Sequence, residues 1–166
     1  MPVSVAISGH QPFVLGGHSP ELESALRALA GKWLTRNRPD EVVSGLAAGW
    51  DMACAHAALE LGVPLVAALA YPGQGENWPV DARVALEQVI SASAEVVTLS
   101  PEKMDGIWTR RDQWVMGRAT RVLALWNGGA SGTGRAIAYA ESIGLQVENL
   151  WGEWMADPAN QPSFPD

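Results

Sequence analysis

Short continuous apolar runs alternate along the chain with stretches in which apolar side chains recur every third or fourth position. The runs at residues 3–8, 41–44, 65–70, 95–99, 121–126 and 146–150 read as strands, several of them closed by a glycine. The periodic stretches read as helices. Ser19-Pro20-Glu21 is a helix start, with a capping hydroxyl, a proline at the first helical position and an acid in the first turn. Leu22, Leu26, Leu29 and Trp33 then form one stripe. Further helices are predicted over 50–61, 80–92, 106–119 and 134–143, the last with Ala136, Ile137, Ala140 and Ile143 on one face. Apolar strands that lack polar alternation and are separated by helices imply a parallel sheet covered on both sides. The expected fold is α/β: a Rossmann-like three-layer α/β/α sandwich around a mostly parallel sheet of five to six or more strands.

Composition sharpens this. A chain of 166 residues, 48% hydrophobic and 17% charged, can bury a real core. One domain is expected over 1–152, with a proline-containing C-terminal tail over 153–166. The formal net charge of −7 makes an extended nucleic-acid surface an unexpected partner. The single cysteine, Cys54, excludes an intramolecular disulfide and fits a reducing compartment. Without a signal-like N-terminus or an apolar stretch near roughly 20 residues, a cytoplasmic location with no membrane partner is expected.

The chemistry-bearing residues gather where strands end, which is where open α/β sheets bind ligands. After the fifth strand comes Asn127-Gly-Gly-Ala-Ser-Gly-Thr-Gly134. A loop of nearly bare backbone leading into a helix N-terminus offers amides and partial positive charge to a phosphate. Gly129, Ser131, Gly132, Thr133 and Gly134 are the candidate phosphate contacts. The loop is not a P-loop, because Arg135 and Ala136 stand where Lys and Ser or Thr belong. After the first strand, Ser8, Gly9 and His10 could donate to a ligand or simply shape a turn. Ser44 and Gly45 follow the second strand. Asp51, at a helix start, could accept from a ribose hydroxyl or a base, or stabilise the first helical turn. Trp78 lies in a polar loop with Glu76 and could stack on a base. Cys54 and His56 are two apart on a helix and face different ways, so no metal site is expected.

"ISGH", "SGLAAGWDMACAHAALELGVP", "YPGQGENWP", "TRRDQW" and "LWNGGASGTGRAIAYAESIG", in this order, resemble the SLOG superfamily, most nearly its YspA/YpsA-like branch of Rossmann-fold nucleotide-binding proteins. More distant members include the LOG cytokinin-activating phosphoribohydrolases and the DNA-processing proteins. The resemblance covers nearly the whole chain. It implies that Arg111 holds phosphate or carboxylate, whereas an arginine on a helix would otherwise be read as solvated. In the LOG motif PGGxGTxxE, the glycines and the threonine fall on Gly128, Gly129, Gly132 and Thr133, but the catalytic Glu falls on Ala136. Glu141 sits about 10 Å further along the helix and is no substitute. The resemblance therefore implies binding of a nucleoside phosphate or ADP-ribose-like ligand, as sensor or carrier, with no bound cofactor. A LOG-like phosphoribohydrolase, with Glu76 or Asp51 replacing the missing acid, and DNA-processing-type nucleic-acid binding are the alternatives. Eight tryptophans in a short chain also lead to the expectation of a homodimer.

Overall fold

The structure is a computed structural model and describes residues 2–160. Among the described residues six strands and six α-helices alternate: β1 (Ser4–Gly9), α1 (Pro20–Asn37), β2 (Glu41–Ser44), α2 (Trp50–Glu60), β3 (Leu65–Leu69), α3 (Val80–Ala92), β4 (Glu95–Thr98), α4 (Ile107–Arg118), β5 (Arg121–Leu125), α5 (Gly132–Ser142), β6 (Gln146–Asn149) and α6 (Trp151–Ala156). The strands form one sheet in the order β4-β3-β2-β1-β5-β6, and every pairing is parallel. This is the three-layer Rossmann-like sandwich that the pattern predicts.

The period-2 alternation of the strands divides their side chains between two cores. Val5, Ile7, Val42, Leu65 and Leu123 bury against α1, α2 and α3, together with Trp154 of α6. Ala6, Val43, Val66, Val122 and Ala124 bury against Val115 and Met116 of α4 and Ala136, Ile137 and Ala140 of α5. The central strands β1, β2, β3 and β5 are almost wholly buried, while β4 and β6 at the edges are largely exposed.

The start of α1 is built as expected: Ser19 Oγ accepts from the Leu22 amide at 3.0 Å, with Pro20 at the first position. Of the tail expected over 153–166, residues 161–166 lie outside the described residues. Residues 153–156 complete α6, whose Trp154 is only 2% exposed, and Pro158–Asn160 make a 3-10 turn.

Candidate functional site in the β1–β5 crevice

The chain runs outward from β1 through β2 and β3 to β4, then returns across the sheet to place β5 on the other side of β1. The loops after β1 and β5 therefore diverge to opposite layers, and a crevice opens at their carboxyl ends. A cavity of about 510 Å³ occupies it. Ser8 and Gly9 line it from the end of β1 and His10 from just beyond, Gly45 from the β2–α2 turn and Asp51 from the start of α2, and Gln74 and Trp78 from the loop after β3. Trp108, Arg111 and Asp112 enter from α4, and Ser131, Gly132, Thr133 and Arg135 from α5.

Arg111 is buried, with 6% of its surface exposed. Its Nη2 and Nε donate to Asp112 Oδ1 at 2.9 and 3.2 Å, and its Nη1 reaches Gln74 Oε1 at 3.4 Å. The guanidinium carbon lies 5.0 Å from the centre of the Trp108 ring, a cation–π contact. Gly45 makes room for this side chain: a Cβ there would stand 2.7 Å from Arg111 Nε. Gln74 fixes the same corner, donating to the Gly45 carbonyl at 2.7 Å and accepting from the Ala70 amide at 2.9 Å.

Asp51 opens α2 beside this cluster and is 7% exposed. Its Oδ1 is buried and has no hydrogen-bond partner among the described residues. Burial pushes its pKa up to about 7, against the lowering influence of the Arg111 charge; Asp112 adds to the rise, and the Ala47 and Gly9 amides oppose it. The carboxyl can thus exchange a proton near neutrality while facing the cavity.

The opposite wall is the start of α5. Ser131 caps it, its Oγ accepting from the Gly134 amide at 3.0 Å. The amides of Gly132 and Thr133 have no acceptor among the described residues, the normal state of a helix start and a ready anion contact. The preceding loop is held from three sides. Trp126 Nε1 donates to the Gly129 carbonyl at 2.8 Å. Asn149 Oδ1 accepts from the Trp126 amide at 3.0 Å, and the Asn127 amide donates to His10 Nε2 at 3.0 Å. His10 is 3% exposed, and its ring meets Trp151 edge-on at 5.7 Å. Burial lowers its pKa, opposed by the Asn127 side chain. A neutral imidazole accepting from the loop backbone is a loop-positioning group.

Residues 18–161 match the family described as DNA recombination-mediator protein A. The chain belongs to that family. It is a SLOG-type Rossmann-like protein, as its loops imply. No curated protein matches the sequence. Among solved structures it is similar to DNA processing protein A from Helicobacter pylori, described by its single-stranded DNA binding mode. Identity there is 17%, covering 96% of this chain and 74% of that one, with a TM-score of 0.63. TM1055, a structural-genomics target, is 18% identical over 87% of this chain and 72% of its own, with a TM-score of 0.59. The molybdenum cofactor carrier protein of Chlamydomonas reinhardtii is 14% identical over 96% and 87%, with a TM-score of 0.57. At these identities the likeness is one of fold.

In this member of the DNA recombination-mediator protein A family, ten sequence-predicted site residues line one cavity: Ser8, Gly9, His10, Gly45, Asp51, Trp78, Arg111, Ser131, Gly132 and Thr133. Ser44, Glu76, Gly129 and Gly134 do not line it. Ser44 is fully buried and shapes the β2–α2 turn, donating to the Asp51 carbonyl at 3.2 Å and accepting from the Leu46 amide at 3.1 Å. Glu76 is exposed. Gly134 is small because Trp126 needs the space: a Cβ would sit 3.1 Å from its ring. Ala136, at the position of the LOG acid, lines the cavity without offering a polar group. Sequence reading missed Gln74, Trp108 and Asp112. Asp112 had a signal in its adjacency to Arg111; Gln74 had none, because its partners are set by tertiary contacts. Arg118, on the same stripe as Arg111, instead donates to Glu41 at 3.2 Å and Glu95 at 2.8 Å, tying α4 to β2 and β4.

Proposed function

We propose that the protein binds a nucleotide or nucleotide-derived ligand, a nucleoside phosphate or ADP-ribose-like molecule, in the β1–β5 crevice, as a sensor or carrier. One juxtaposition carries this reading. The free amides at the start of α5 and the Asp51 carboxyl, whose Oδ1 has no partner among the described residues, line the same cavity. The first suits an anion and the second a hydrogen-bond donor, and a phosphorylated nucleoside has both. The Arg111 guanidinium, paired with Asp112, lines the cavity as well. Residues 1–152 carry this site. The buried Cys54 fits a reducing, cytoplasmic setting. Among the described residues no helix is long and apolar enough to cross a membrane.

Titration calorimetry with AMP, ADP, ADP-ribose and inorganic phosphate tests the reading. Binding of a phosphorylated nucleoside at micromolar to millimolar concentration is expected. No heat from any of them at millimolar concentration would overturn it.

A hydrolytic reading attaches to Asp51, a carboxyl titrating near neutrality that could protonate a departing base. Release of free adenine from AMP, abolished in Asp51→Asn with AMP binding intact, would favour it over pure binding. Family membership and the Helicobacter pylori relative favour single-stranded DNA as a second ligand class. Assembly as a homodimer is also proposed, supported by the exposed valines of α3 and β4, namely Val80, Val84 and Val96.

A further inference from the structure

Large apolar side chains left in water need a reason when they gather at one concavity. Two do so here. Phe13, in the loop between β1 and α1, is 77% exposed, and Trp108, in the first turn of α4, is 41% exposed. Both line the cavity, and they arrive from separate elements.

Neither is loosely held. The turn carrying Phe13 is closed by Val14 N–H to the Gln11 carbonyl at 3.1 Å and Leu15 N–H to the Pro12 carbonyl at 3.0 Å. Leu15 is buried in the main core, so the backbone is anchored while the Phe13 ring is presented outward. Trp108 follows Ile107, which is 1% exposed. Its ring is oriented by Tyr71, edge-on at 5.7 Å, and by the Arg111 guanidinium at 5.0 Å from its centre. An indole with a cation on its π system and much of its surface still open is suited to receive a flat ring.

We propose that Phe13 and Trp108 form a stacking slot for the nucleobase of the bound ligand, so that the site selects phosphorylated nucleosides over phosphorylated sugars. The inference rests on the nucleotide reading above and adds to it where the base lies. Trp78, the aromatic that the sequence pointed to, lines the same cavity, but one side of it packs against the main core. The chemistry recognised is that of an aromatic base, whether it belongs to a free nucleotide or to a single-stranded oligonucleotide.

The test compares AMP, ribose 5-phosphate and a short thymidine oligonucleotide by calorimetry on the wild type, Phe13→Ala and Trp108→Leu. The wild type is expected to bind AMP about tenfold or more tightly than ribose 5-phosphate. Phe13→Ala should weaken AMP about tenfold and leave ribose 5-phosphate within about twofold. Trp108→Leu should follow, and if its loss of packing also affects ribose 5-phosphate, the exposed Phe13 decides alone. Oligonucleotide affinity that exceeds that for AMP and falls with Phe13→Ala would support the slot and assign the base to a strand. Equal wild-type affinities for AMP and ribose 5-phosphate would overturn the slot while leaving the phosphate site standing. So would an undiminished AMP affinity in Phe13→Ala. If none of the three ligands binds, the nucleotide reading fails and the slot with it.

Discussion

A carboxyl buried without a full set of hydrogen bonds disfavours its own ionisation, and Asp51 withholds stability from the fold for that reason. Its folded pKa, about 7, lies above the ordinary value of 3.8, so the folded state holds its proton more tightly. The associated stability is fully present below about pH 4 and is lost as pH rises through 7. The difference corresponds to about 4 kcal/mol. Asp51→Asn should therefore be more stable than wild type in urea unfolding at pH 8, and the advantage should vanish by about pH 4. Taking the difference between the two proteins is essential, because His10 contributes a slope of opposite sign. Its lowered pKa means that the unfolded chain binds the proton better, so stability is lost as pH falls below about 6.5. A stabilised Asp51→Asn that no longer binds AMP would mark the carboxyl as kept for the ligand. At Gly45 the argument is steric. Gly45→Ala would push a methyl against Arg111 Nε, which a Cβ would approach to 2.7 Å, and the guanidinium would have to move. A loss of AMP affinity of about tenfold with a thermal midpoint within a few degrees is expected. Asp51 was legible as a site candidate from its place at a helix start, and Arg111 only through the family resemblance of its loops. The hydrogen bonds of Gln74 that fix Arg111 were not, since they join residues 29 and 37 positions apart.

Helix α5 separates its own stability from its service to a ligand, because the two use different amides. Ser131 Oγ occupies the Gly134 amide, while Gly132 and Thr133 keep theirs free. Ser131→Ala should cost about 1 kcal/mol in urea unfolding through loss of the cap. Ser131→Asp should retain the cap and the stability, since Asp is as good an N-cap, yet set a negative charge beside the anion site. Inorganic phosphate and AMP should then bind at least about tenfold more weakly, with unfolding unchanged. Equal phosphate affinity in Ser131→Asp and wild type would place the anion elsewhere. Most elements were readable to within a residue or two, because apolar runs, glycine stops and the Ser19-Pro20 start act locally. Helix α6 was not. It is six residues long, has no side-chain cap, and is held by burial of Trp154 rather than by any signal of its own. The beginning of α5 at Gly132 rather than at residue 134 likewise depends on the Ser131 cap, which a run of glycines obscures.

The whole molecule sets family and charge in opposition. Its relatives include a protein described by single-stranded DNA binding, yet this chain carries 18 acidic residues against 11 Lys and Arg. Several of those cations are already spent. Arg118 is paired with Glu41 and Glu95, Arg27 with Glu60, and Arg121 with Glu148, leaving Arg111 and Arg135 as the arginines on the cavity wall. Arg111 itself is paired with Asp112. Strand binding releases counterions in proportion to the phosphates neutralised, with a slope of about −0.7 per phosphate in log affinity against log salt. Two cations can neutralise about two phosphates, so any affinity for a short thymidine oligonucleotide should fall with a slope no steeper than about −1.4. Measured from low to physiological salt, such a shallow slope would mean that the protein grips one or two nucleotides in the crevice and leaves the rest of the strand in solvent. A slope of about −3 or steeper would require phosphates held along a wider basic track, and would overturn the view of the cavity as a mononucleotide-sized site.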